Sequence, residues 1–165
     1  MDHKTTFASL DRFEKGGVEI IDDDVKHYAF SNVFEVASKA LPYEKVVVAK
    51  NMQYVLEAVR AEGSSNWFAA SHDEFVILLD GELEIDFVAL ENAQDIVPPA
   101  SAGTIAIAGE PQGARMGMVR LQHGHQALLP ANSAYRFRAT RPGVLLIQTV
   151  AGSLSVEKWR DICLH

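Results

Sequence analysis

The residues able to do chemistry are few: His72, Glu74, His123 and His125 lead them. His72 and Glu74 stand two apart, so an extended strand would project both to one side. A histidine beside a carboxylate is half of a metal site, or an acid–base pair. A metal centre wants three or more matched donors, and this pair alone falls short of that. His123 and His125 are the chain's one His-x-His, and they flank Gly124 in a turn-forming context. Asp22-Asp23-Asp24 is followed by no calcium-loop spacing and reads as a solvated loop. No Gly-x-Ser-x-Gly elbow, phosphate loop or dinucleotide fingerprint appears, and the lone Cys163 reads as structural.

The elements that must position these residues are mostly strands. Two apolar runs, Glu74–Leu79 and Glu82–Leu90, flank Asp80-Gly81, and an Asp-Gly pair between such runs is a hairpin signal. Strands are also expected at 18–21, 45–49, 104–108, 115–121 and 126–129, whereas 53–60 suits helix or strand alike. The last pair, 135–139 and 144–150, is expected to be joined by a turn at Thr140–Gly143. Phe7, Leu10 and Phe13 fall at helical spacing ahead of Gly16-Gly17. Residues 31–40 read as a helix, opened by Asn32 with Glu35 three residues on and stopped by Pro42. A C-terminal helix over 155–164, capped by Ser155, is expected. The division is an N-terminal helical arm at 1–43, a barrel at 44–152 and a C-terminal helix at 153–165. The arm serves either to cover the barrel or to reach a partner subunit.

Composition narrows the class. The 165 residues are 48% hydrophobic and 22% charged, enough for one domain with its own core. A net charge of −7 argues against a nucleic-acid surface. No apolar run approaches membrane-spanning length, and Met1-Asp-His-Lys-Thr-Thr6 lacks the apolar stretch of a signal peptide. One cysteine permits no internal disulfide. A cytoplasmic protein without nucleic-acid or membrane partners is expected.

Glu74, six residues and Gly81 resemble the second half of the first cupin motif. The family's His-x-His would fall on 67–69 or 68–70, where this chain has Trp67, Phe68, Ala69 and Ala70. The second motif keeps its frame from Gly124 through Pro130, with Asn132 in place of a glycine and Tyr135 in place of the ligand histidine. Asn tolerates the left-handed backbone the turn requires. The resemblance covers roughly residues 45–150 and implies an all-β jelly-roll barrel that has lost its metal, keeping one ligand position of four. It decides residues 53–60 for strand. It also places His123 and His125 about 17 Å along a strand from the ligand position, at about 3.3 Å per residue.

The stretches 30–36, 54–63, 67–74 and 126–137 narrow the likeness. They resemble the small (alpha) subunit of two-component hydroquinone 1,2-dioxygenases. That resemblance implies a metal-free chain without catalytic residues or a cofactor of its own. It implies a larger cupin partner that holds Fe(II) and cleaves hydroquinone with O2 to 4-hydroxymuconic semialdehyde, in an α2β2 assembly. Trp67, His72, Glu74 and Tyr135 are then the candidates to line a pocket for an aromatic substrate, with Trp67 and Tyr135 at the barrel mouth. Two other readings stand beside it. One is a stand-alone metal-free cupin that binds a small aromatic molecule. The other is a metal-independent isomerase or lyase using Glu74, His72 and Tyr135, whose glutamate would be either protonated or paired with Tyr135 or His72.

Overall fold

Over Glu74–Asp80 and Leu83–Leu90 side chains alternate between an apolar interior and an outer face, and the chain from Lys45 onward forms nine strands. They are β1 (Lys45–Asn51), β2 (Tyr54–Ala70), β3 (Glu74–Asp80), β4 (Leu83–Leu90), β5 (Thr104–Ile107), β6 (Gly113–Leu121), β7 (Gln126–Leu129), β8 (Ser133–Val150) and β9 (Ser155–Val156). The helices are α1 (Val33–Lys39), α2 (Ala93–Ile96) and α3 (Trp159–Ile162), with a 3-10 turn at Val25–His27. This computed structural model describes residues 8–13, 18–27 and 30–163.

β2 and β8 organise the barrel. They pair antiparallel from Tyr54↔Val150 to Ala69↔Ala134, and each serves two sheets along its length. The N-terminal half of β8 pairs with β4, which pairs with β6. The C-terminal half of β8 pairs with β3, which pairs with β7. β1 and β5 join opposite ends of β2. The result is a jelly-roll barrel.

The Thr140–Gly143 stretch is not a turn. β8 continues through it, and the register steps from Ala61↔Gly143 to Gly63↔Ala139. Residues 140–142 therefore bulge opposite Glu62, and Pro142 sits where no ladder donor is needed. Asp80-Gly81 is likewise no hairpin, because β3 and β4 pair with different halves of β8 and not with each other. The Asp-Gly pair carries the chain from one sheet to the other. Gly81 has φ +92°, as such a bend requires, and packs directly on Gly143.

The interior is filled by Val76, Leu78, Leu83, Ile85, Leu129, Phe137, Leu145 and Ile147, all almost wholly buried. Outside the barrel, α1 places Val36 and Ala40 on Val46 and Ala58, and Ile162 of α3 packs against the same cluster. The Asn32 side chain accepts from the Phe34 and Glu35 N–H groups, as its position before the helix predicts. The C-terminal helix is shorter than expected. Ser155 enters β9 beside Lys45 instead of capping a helix, and α3 begins at Trp159.

The arm differs from its expected form in two places. Residues 8–13 form a tight turn closed by Ser9 and Arg12, whereas Phe7 and Gly16-Gly17 lie outside the described residues. Val18–Ile21 forms no strand, and Val18 and Ile21 are exposed, since β-rich composition without a neighbouring strand holds nothing.

The turn at residues 8–13 is tied to the barrel by Asp80. The Leu10 N–H donates to Asp80 Oδ2 at 2.7 Å, and His123 Nε2 lies 3.0 Å from Oδ1. Burial opposes the Asp80 charge, but the Leu10 N–H and His123 outweigh it, so the carboxyl is held below its ordinary value. A depressed carboxylate contributes stability that is complete above its unfolded pKa of about 3.9 and is lost as pH falls through the lower folded value. Acidification below about pH 4 is therefore expected to release the Leu10 turn. Amide exchange at Leu10 would read this, and protection unaltered in Asp80→Asn would contradict it.

Candidate functional site

Glu74 opens β3 inside the barrel with no exposed surface. The turn before it is fixed by Asp73 Oδ1, which accepts the Ala131 N–H at 2.8 Å. That bond ties the entry of β3 to the turn that precedes β8. Asn132 in that turn has φ +61°, the left-handed conformation its place in the motif requires. Ser133 then starts β8, and Tyr135 enters the interior opposite Phe68 and Phe87.

The two motif residues meet. Tyr135 OH donates to Glu74 Oε2 at 2.6 Å, and Thr104 Oγ1 donates to Oε1 at 2.5 Å. Thr104 begins β5, next to Ala70. Tyr135 and Thr104 are 1% and 2% exposed, so the whole group is sealed from solvent. Burial pushes the Tyr135 hydroxyl well above a phenol's usual range, and the adjacent Glu74 charge and hydrogen bond push it further. The phenol therefore stays protonated and serves as a donor. The arrangement is a locked acceptor with two hydroxyl donors.

A metal does not fit here. The inward positions of the motif are Phe68, Ala70, Glu74 and Tyr135, and only Glu74 is an ordinary ligand type. Both of its oxygens are taken by hydroxyls. Among the described residues, no three His, Cys, Asp or Glu side chains are grouped to hold an ion.

His72 does not join Glu74. Residues 71–73 form a bend and not a strand, so the expected two-residue periodicity breaks there. Its Nε2 accepts the Val150 N–H at 3.3 Å and lies 2.9 Å from Thr149 Oγ1. The accepted bond assigns the proton to Nδ1. Trp67 also lies elsewhere. It neighbours Ile107 and Arg136 on the sheet and is 6% exposed. Its Nε1–H donates to Glu110 Oε2 at 3.0 Å, and the Arg136 guanidinium sits 4.5 Å over its ring. Arg136 also reaches Glu110 and Asp86, so Trp67 is capped by an ion-pair ladder on the outer face. His123 serves Asp80, and His125 Nδ1 accepts the Gln122 N–H within its own turn.

A second buried polar group had gone unread in the sequence. Lys45 and Glu57 are 3% and 1% exposed, with Nζ 3.6 Å from Oε2. Ser155 Oγ donates to the other Glu57 oxygen at 2.6 Å. Burial pushes the Glu57 carboxyl up, and the Lys45 charge offsets part of that. The available signal was the alternation Val55, Glu57, Val59 in β2, which places the glutamate among inward apolar residues.

No family model matches the chain, and no curated protein matches it. Solved structures do. A crystal structure of hydroquinone 1,2-dioxygenase PnpCD with Cd2+ and 4-hydroxybenzonitrile contains a chain 55% identical to this one. The match covers 99% of this chain and 98% of that one, with a TM-score of 0.91. A hydroquinone 1,2-dioxygenase from Sphingomonas sp. TTNP3 with 4-hydroxybenzoate bound matches at 50% identity over the same shares, with a TM-score of 0.93. A different chain, from PnpCD in complex with Fe3+, matches at 12% identity. It aligns with 84% of this chain but only 37% of its own length, with a TM-score of 0.62, a likeness of fold alone.

Proposed function

The chain belongs to the hydroquinone 1,2-dioxygenase family, and from this we propose that it is the small, metal-free subunit of such an enzyme. The fold is the cupin jelly-roll. The observation that carries the proposal is the filling of the metal positions: Phe68, Ala70 and Tyr135 stand where ligands would, and Glu74 is consumed by Tyr135 and Thr104. O2 chemistry needs a redox centre or cofactor, and these residues offer no set of donors for one. The iron is then held by a larger cupin subunit, and ring cleavage of hydroquinone to 4-hydroxymuconic semialdehyde takes place there. Support for such a partner comes from the second, longer kind of chain, with the same fold, in a structure of the same enzyme. We take the assembly to be α2β2 and cytoplasmic. Among the described residues no helix is long and apolar enough to cross a membrane.

Within this chain Glu74 and Tyr135 have no solvent path, which disfavours the acid–base isomerase reading. Trp67, under Arg136 on the outer face, would reach an aromatic substrate across the subunit interface and not within its own barrel. The test is co-expression with the large cupin, followed by oxygen-uptake assays with hydroquinone. Activity is expected only when both chains are present. Full activity of either chain alone would overturn the pairing.

A further inference from the structure

The outward positions of β7, β3, β8 and β2 form one apolar face. The register sets Leu128, Phe75, Gln148 and Leu56 in a single row across the four strands. Ile77 and Tyr54 stand on either side of that row. At one end this sheet is covered, since α1 and Ile162 of α3 form a cluster with Val46, Ala58 and Leu146. The rest is bare among the described residues: Tyr54, Leu56, Phe75, Ile77 and Leu128 are 38–50% exposed. That is roughly 400 Å² of apolar surface, most of what a standard interface of about 800 Å² per partner requires. The outward positions hold no charge, with Gln126 and Gln148 their polar members. Lys50, at the rim, is paired with Glu157. Beside Leu56 the face opens into a groove of about 210 Å³, lined by Ala49, Lys50, Tyr54, Leu56 and Gln148 among others.

We propose that this face docks a second copy of this chain, sheet against sheet, about a two-fold axis running along β8 through Gln148. Packed sheet faces keep their strands nearly aligned, so an axis along a strand suits them. The face is complementary to itself about that axis. Phe75 and Leu56 flank Gln148 on opposite sides, so the rotation lays the copy's Phe75 on this chain's Leu56. A cavity of about 150 Å³ holds a benzene ring, so the groove beside Leu56 has room for that phenyl. Gln148 meets Gln148, and an amide that both donates and accepts pairs with its own copy. The lack of charge favours self-pairing in a chain whose net charge is −7. Trp67 lies eleven residues along β2 from Leu56, roughly 35 Å at about 3.3 Å per residue. The contact therefore goes beyond the proposed pairing with a larger subunit and leaves the Trp67 face free for it.

Sedimentation of the full chain alone is expected to give a species of twice the 18.1 kDa chain mass. Gln148→Glu sets two like charges against each other on the axis and should raise the dimer Kd by about a hundredfold or more. Phe75→Ala removes the ring from the groove and should raise it by at least about tenfold. Both side chains point outward, so the urea midpoint of the monomer should not move, and the second variant keeps the test decisive if the first fails to fold. Met116→Glu, an exposed position on β6, should leave the dimer intact. A wild-type chain that stays monomeric would overturn the proposal, as would a Gln148→Glu dimer as tight as wild type or equal disruption by Met116→Glu. Co-expressed with the large cupin, Gln148→Glu should still copurify with it. Loss of the large chain in that variant would assign the face to the larger subunit and overturn the inference. A wild-type chain that dimerises through this face but captures no large cupin would fail the proposed function and leave the inference standing.

Discussion

Glu74→Ala is expected to lower the unfolding free energy by about 3–5 kcal/mol. The change leaves a void at a position with no exposed surface, and it strips the Tyr135 and Thr104 hydroxyls of their acceptor. Two buried hydroxyls without partners and a void are separate losses, and they fall on the same site. Glu74→Gln keeps the volume and one carbonyl oxygen. Its amide, however, meets a hydroxyl donor, so one of the two hydroxyls must turn round and accept. A loss of about 1–3 kcal/mol is expected for that variant. Urea midpoints for the three proteins measure both values. An alanine variant as stable as wild type would mean that the carboxylate is not the keystone of the interior.

The second large effect is at the crossing of the two sheets. A Cβ on Gly143 would stand 2.4 Å from the backbone oxygen of Asp80 and 3.3 Å from Gly81 Cα. Neither neighbour is a flexible side chain, so β3 and β8 must move apart. Gly143→Ala is expected to cost about 3 kcal/mol, in the range of a forced backbone shift. Gly63→Ala is the control. Its φ of +70° is strained for a side chain, but a Cβ there meets nothing within 4 Å. About 1–2 kcal/mol is expected for the backbone strain alone. Equal losses at the two glycines would show that the close approach at the crossing carries no energetic weight.

The parts of the site legible in the sequence were those fixed by spacing along one chain. Glu74, Asn132 and Tyr135 stand at motif distances, and the barrel brings the first and last into contact. What failed was local turn chemistry. Asp80-Gly81 and Pro142-Gly143 carry the signals of reversals, yet one crosses between sheets and the other lies in a bulge. The same dihedral preferences serve either outcome, and only the identity of the pairing strand decides. His72 went astray for a related reason, since a bend beginning at Ser71 undoes the two-residue alternation that would have set it beside Glu74. The alternation Val55, Glu57, Val59 set the glutamate inward, but its pairing with Lys45 and Ser155 was not legible, because β1, β2 and β9 meet only in three dimensions. Ser155 illustrates the same point: its hydroxyl is claimed by Glu57, ninety-eight residues earlier, and not by a helix.

The sharing of β8 bears on how the chain is made. β2, β3 and β4 each take β8 as a partner, and β8 is the last long strand of the barrel. During synthesis all three must wait with an unpaired edge until Ser133–Val150 has left the ribosome. Contacts between residues so far apart in sequence form slowly, because a long loop must close before they are made. Before β8 emerges the nascent chain can pair β1 and β5 with β2, β7 with β3 and β6 with β4, but these pieces are joined into one barrel only when β8 is added.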